Sequence, residues 1–161
     1  MSWDINWMQD LLKTIEISYK RAPYFKEVYP LINRVFKLAP QSISELAQFS
    51  IVEVLKYLNM KIVLFKSSER YDNSHLKKTE RLIDICKHEK AQEYINPIGG
   101  IEIYTKEDFL MHGIKLHFIK STAVEYKQFN NSFIPRLSII DVLMFNSIEK
   151  VQTMLNQYEL I

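Results

Sequence analysis

From Asp4 to about Leu58 the apolar residues recur at steps of three and four, which predicts three amphipathic helices punctuated by prolines. Ile5, Met8, Leu11, Leu12, Ile15 and Tyr19 line one face of the first, which Pro23 limits. Pro23 opens the second, where Tyr24, Val28, Leu31, Ile32, Val35 and Phe36 form the stripe, and Pro30 inside it predicts a kink or a short break. After Pro40, Ser42 or Ser44 caps a third helix running to about Leu58, with Ile43, Leu46, Ala47, Ile51, Val54, Leu55 and Leu58 turned inward.

The pattern changes at Lys61. Ile62, Val63, Leu64 and Phe65 form a short continuous apolar run, the signature of a strand covered on both faces. The polar stretch Ser67 to His75 reads as a loop, and Leu76, Leu82, Ile83, Ile85 and Cys86 as a helix ending near Lys90. A second strand follows at about Glu93 to Asn96, broken by Pro97 and Gly99-Gly100. Lys106 to His112 forms a short helix stopped by Gly113, and Ile114 to Ile119 alternates as a third strand. Strands and helices in this alternation predict parallel neighbours with right-handed crossovers. Ile139 to Phe145 reads as a helix buried on more than one side, and Ser147 caps a last helix from Ile148 to about Tyr158. The expected fold is α/β and three-layer-like, a small, mostly parallel sheet of about three strands flanked by helices, with helix-rich N- and C-terminal segments.

A chain of 161 residues is enough for one hydrophobic core, so 1–161 is expected to be a single domain. The balance of 47% apolar and 25% charged residues excludes a disordered chain. A formal charge of only +2 gives no electrostatic case for a nucleic-acid partner or an anionic membrane surface. Cys86 is the single cysteine, so there is no disulfide framework and no thiolate cluster, which fits a reducing cytoplasm. The N-terminal residues lack the basic start and apolar core of an export signal, and no run reaches the roughly 20 apolar residues of a membrane span. His75, His88, His112 and His117 show no ligand spacing, so no metal is assigned, and the sequence identifies no cofactor.

Candidate chemistry lies in a few polar islands. Ser67 and Ser68 follow the first predicted strand, where hydroxyls and backbone N–H groups meet anions at a sheet edge; a plain turn is the competing reading. In the next helix Arg81 is suited to hold a phosphate or carboxylate bidentately, and Glu80 to act as a base if it faces a cleft; the alternative is a solvated charged face. In Asn96-Pro97-Ile98-Gly99-Gly100 the paired glycines allow close backbone approach to a ligand, or simply a tight turn. The spacing is neither that of a P-loop nor that of a dinucleotide fingerprint. Tyr126, Lys127 and Gln128 follow the third strand, where phenol and carboxamide can read a sugar hydroxyl, an amide or a base edge. Asp141 stands among apolar residues and either completes a capping box with Ser138 or, facing a cleft, serves as acid or base. No nucleophile-elbow sequence supports a Ser-His-Asp arrangement. The functional reading expects the serine pair, the double glycine and the Tyr-Lys-Gln triplet to meet in one crevice at the strand C-termini.

In FKSSE, TERLIDICK, YINPIGGIEIY, FIKSTAVEYKQF and LSIIDVLMFN, and more weakly in KTIEISYKRAPYFKEVYPLI, the chain resembles the WbqC-like family of bacterial proteins. The resemblance implies a place among O-antigen, lipopolysaccharide and other surface-polysaccharide loci, with action on a sugar nucleotide or on a group passed from an activated acyl donor to an amino sugar. The family typically begins with a strand-loop-helix region that does not occur before Trp3 here, so the chain is expected to correspond to the C-terminal two-thirds of such a protein. A companion chain or a homo-oligomer would then supply those strands. The resemblance implies a cytoplasmic transferase, with Ser67, Ser68, Asn96, Gly99 and Gly100 around a phosphate or activated group and Tyr126 and Gln128 reading the acceptor. Arg81 and Asp141 are its candidate catalytic residues. The alternatives are a non-catalytic binding or assembly module and, by fold analogy, an ATP-using nucleotidyltransferase or amide ligase.

Overall fold

A computed structural model describes residues 5–65, 68–129 and 132–161. In chain order its elements are α1 (Ile5–Tyr19), α2 (Phe25–Lys37), α3 (Ile43–Tyr57), a 3₁₀ turn (Ser68–Tyr71), α4 (Lys78–His88), β1 (Glu93–Pro97), a second 3₁₀ turn (Ile98–Gly100), α5 (Lys106–Leu110), β2 (Lys115–Ser121), α6 (Ile139–Phe145), α7 (Ile148–Met154) and β3 (Tyr158–Leu160). The fold class is α/β. The chain divides into two units, the first made of Met1–Leu64 and Ala123–Asn156, the second of Phe65–Thr122 and Gln157–Ile161.

The first unit is all helical. Ile15 of α1, Val28, Leu31 and Ile32 of α2, Leu58, Leu143 and Met144 of α6 and Val151 of α7 form its core. Helix α2 runs unbroken through Pro30, against the expected break. The intrahelical bond that proline forfeits would have run to the carbonyl of Lys26, an exposed residue. Ser42 caps α3 by accepting from Glu45 N at 3.1 Å, and the Glu45 carboxylate accepts from Gln41 N at 2.8 Å. The expected inner face of α3 is only partly buried: Ile43 and Ile51 stay exposed, whereas Glu53 is buried at 6% exposure. Arg34 Nε and Lys56 Nζ donate to its carboxylate at 2.8 and 2.9 Å, which satisfies the charge where it lies. These bonds, that of Lys56 first, hold the Glu53 carboxyl below its ordinary pKa.

The second unit carries a three-stranded sheet in the order β1-β2-β3. β1 and β2 are parallel, Glu93 opposite Lys115, and β2 and β3 are antiparallel, Ile119 opposite Leu160. Ile83 and Cys86 of α4, Phe109 of α5, Ile114, and Leu116 and Phe118 of β2 make its core, with Tyr94 stacked on Phe109 at 5.5 Å between centroids. Burial pushes the Cys86 thiol up in pKa, as expected of an unreactive core cysteine.

The strand expected at Ile62–Phe65 does not form. These residues have no regular structure and all four are exposed, Val63 at 80%. An apolar run becomes a strand only when a neighbour pairs with its backbone, and among the described residues none does. The third strand is instead β3, in a segment expected to continue the last helix. That helix stops at Met154, and Gln157 O accepts from Thr122 N at 3.0 Å, leading the chain onto β2.

Candidate functional site

Asp141 is the third residue of α6. Ser138 caps that helix, its hydroxyl accepting from Ile140 N at 3.3 Å. The Asp141 carboxylate does not close a capping box. It is only 4% exposed, and three donors converge on it: the Tyr19 hydroxyl on Oδ2 at 3.0 Å, and the Tyr126 hydroxyl at 2.6 Å and Gln128 Nε2 at 3.0 Å on Oδ1. Helix α1, the segment after β2 and α6 are thereby tied together through one side chain. Burial first, and then the bond to Asp141, push both phenols up to about 12, so at neutral pH each stays protonated and donating.

Gln128 is the brace of this arrangement. Its Nε2 also donates to Ile134 O at 3.1 Å and its Oε1 accepts from Ile134 N at 2.9 Å, so the carboxamide pairs with Ile134 as a backbone amide would. Both of its N–H donors are committed within the protein. Tyr126 is further fixed by Phe133, edge-on at 5.2 Å between centroids. Beside the carboxylate lies a cavity of about 200 Å³, walled by Tyr19, Gln128, Phe129, Ile134, Leu137 and Phe145, with Ser18 at its lining. Among the described residues no lysine or arginine lines it.

The second unit holds the remaining candidates. Arg81 donates through Nε to Asn73 Oδ1 at 3.1 Å and through Nη2 to Ser68 Oγ at 2.9 Å. Asn73 is 2% exposed and itself donates to Asp84 Oδ2 at 2.7 Å, so a buried carboxamide fixes the guanidinium. Sequence reasoning missed Asn73, because an isolated asparagine in a polar loop carries no pattern. Ser67 lies outside the described residues. Glu80 is exposed beside a groove of about 600 Å³ that also includes Asp84, Asp108 and His112.

Asn96 Nδ2 donates to the Tyr94 hydroxyl at 2.8 Å, folding the side chain back over the following turn. A Cβ at position 100 would overlap Asn96 Oδ1 and lie 2.9 Å from Asn96 Cγ, so the Asn96 side chain would have to swing away. A Cβ at Gly99 meets nothing within 4 Å. Only one of the paired glycines is therefore required by packing.

The structure thus brings Tyr126, Gln128 and Asp141 together and adds Tyr19; it joins Ser68 to Arg81, and Asn96 to Gly100. The first cluster belongs to the helical unit and the other two to the sheet unit. Among the described residues no group of three or more His, Cys, Asp or Glu is placed to hold a metal ion, and no helix is long and apolar enough to cross a membrane. Comparison with curated proteins and with solved structures found no match. A family model described as the WbqC-like protein family matches residues 2–153, nearly the whole length, and the chain belongs to that family.

Proposed function

We propose that this chain is a cytoplasmic transferase acting on sugar-nucleotide or amino-sugar precursors of bacterial surface polysaccharide, O-antigen among them, with the acceptor seated at Asp141. The observation that carries the reading is the buried carboxylate at the wall of a cavity, oriented by Tyr19, Tyr126 and Gln128. A carboxylate offers about four acceptor positions, of which the described residues fill three, and the fourth is on Oδ2. As the acceptor's oxygen or nitrogen bonds to the transferred group, Asp141 takes its proton and the donor's leaving group departs with the bonding pair. In the sheet unit, taken by itself, Arg81 keeps donors beyond the two it spends on Asn73 and Ser68 and is a proposed contact for a phosphate or other activated group. Asn96, Gly99 and Gly100 of the same unit are further proposed contacts for that group, and the candidate Ser67 lies outside the described residues.

The test is calorimetry of the purified chain with nucleotide-linked sugars and free amino sugars, wild type against Asp141→Asn, with circular dichroism checking the fold. Saturable binding that the variant loses is the expected result. A folded wild type that binds none of them sinks the reading.

A specific observation favours a second reading, a non-catalytic binding or assembly module docking on another copy or a companion chain. Four consecutive apolar residues, Ile62 to Phe65, are exposed, as are Ile43 and Ile51 on α3. Apolar surface of this kind marks interfaces. Light scattering separates the two: a monomer that binds sugar nucleotide supports the transferase, and an inactive oligomer supports the module.

A further inference from the structure

The cavity beside Asp141 has a chemical bias that narrows its ligand. A carboxylate at 4% exposure is costly unless its charge is met, and its partners, two phenols and a carboxamide, are all neutral. Among the described residues no salt bridge reaches it. Arg21 stacks over Phe129 at 5.9 Å from the ring centroid but does not line the cavity. Both phenol hydrogens are spent on Asp141, and both Gln128 N–H groups are spent on Asp141 and Ile134. What Asp141, Tyr19 and Gln128 still offer is lone pairs, on Asp141 Oδ2 and the Tyr19 hydroxyl oxygen, while exposed Ser18 at the lining adds a hydroxyl that can donate or accept.

A ligand group that matches this must donate and carry positive charge. A phosphate or carboxylate would meet lone pairs and a like charge. A neutral hydroxyl would fill one acceptor and leave the charge uncompensated. A primary ammonium brings three donors, no acceptor and one positive charge, and the rings of Phe129 and Phe145 line the cavity with Arg21 already over Phe129. We infer that the cavity beside Asp141 binds a primary ammonium group, with Asp141 Oδ2 as its charged partner and the aromatic wall over its carbon frame.

The inference rests on the acceptor site proposed above and names what enters it. It is tested by titrating the 161-residue chain with glucosamine, glucose and N-acetylglucosamine by calorimetry at mildly acidic pH, where the amine is protonated. The expected result is glucosamine binding at least about tenfold tighter than either neutral sugar, as a charge-assisted bond predicts. In Asp141→Asn that preference should collapse to parity. Equal affinity for glucosamine and glucose in the wild type would overturn the ammonium while leaving the sugar acceptor site standing. Binding of none of the three would overturn both. The wild-type comparison decides the matter even if Asp141→Asn fails to fold.

Discussion

Asp141 in the helical unit and Arg81 in the sheet unit are both charged side chains held by neutral partners, and they differ in what the holding leaves available. Asp141 is buried and receives three donors, which leaves one acceptor position beside a cavity. Arg81 is half-buried and spends two of its donors on Asn73 and Ser68. A buried anion braced this way is worth more to stability and more to selectivity than a half-exposed cation, because water cannot stand in for lost partners. The Asp141 cluster is where a mutation should separate binding from folding least easily. The Arg81 cluster is where the two should separate cleanly.

Asp141→Ala is the strongest way to break the contrast. It strands two phenol hydroxyls and a carboxamide N–H, offset in part by removal of a buried charge, for a net loss of about 3 kcal/mol in unfolding free energy. Urea denaturation followed by circular dichroism measures it. A loss below about 1 kcal/mol would mean that the cluster does not brace the helical unit.

Within the sheet unit, packing replaces charge as the source of strain. Gly100→Ala forces Asn96 away from Tyr94 and should cost about 2 kcal/mol. Gly99→Ala should stay within about 0.5 kcal/mol, since its Cβ enters open space. Equal costs at both positions, read from thermal melts, would return the pair to an ordinary turn.

These sites also mark where sequence reasoning works. Helical stripes and caps are local, so α1, α2 and the capping roles of Ser42, Ser138 and Ser147 were legible. The exposure of Ile62 to Phe65 was not, because an apolar run states what it avoids and not which backbone pairs with it. β3 has three residues, too few to show a period. For Asp141 the sequence offered a cap or a cleft, and the deciding partner, Tyr19, is 122 positions away. Tyr126 and Gln128 were singled out as ligand readers from their place after a strand, yet their hydrogen bonds run to Asp141 and Ile134, contacts that no local pattern encodes.

On the Arg81 side, Asn73→Ala should cost about 1 kcal/mol, since Arg81 and Asp84 can turn to solvent when their buried link is lost. It should weaken phosphate binding more than it weakens folding, which separates the two readouts as Asp141→Ala cannot. Titration with inorganic phosphate alongside a denaturation curve tests this. Unchanged phosphate affinity would remove Arg81 from the donor site.

The smallest effect lies at high pH and sharpens the contrast between buried and exposed bonds to carboxylates. Tyr19 and Tyr126 are raised from 10.0 to about 12 by burial and by the bond each gives Asp141, so the folded state holds their protons longer than the unfolded state does. Their contribution is complete below pH 10 and is lost as the pH climbs through about 12. Tyr71 of the sheet unit is also raised, chiefly by its hydrogen bond to Glu89, but that pair is exposed and salt should weaken it. Burial also raises Tyr57 and Tyr94, so tyrosinate absorbance should show several late-titrating phenols that high salt leaves in place, of which Asp141→Asn releases two, Tyr19 and Tyr126, toward the ordinary range. If high salt restores them as it restores Tyr71, water reaches Asp141 freely, and the water-excluded setting assigned to its carboxylate is wrong.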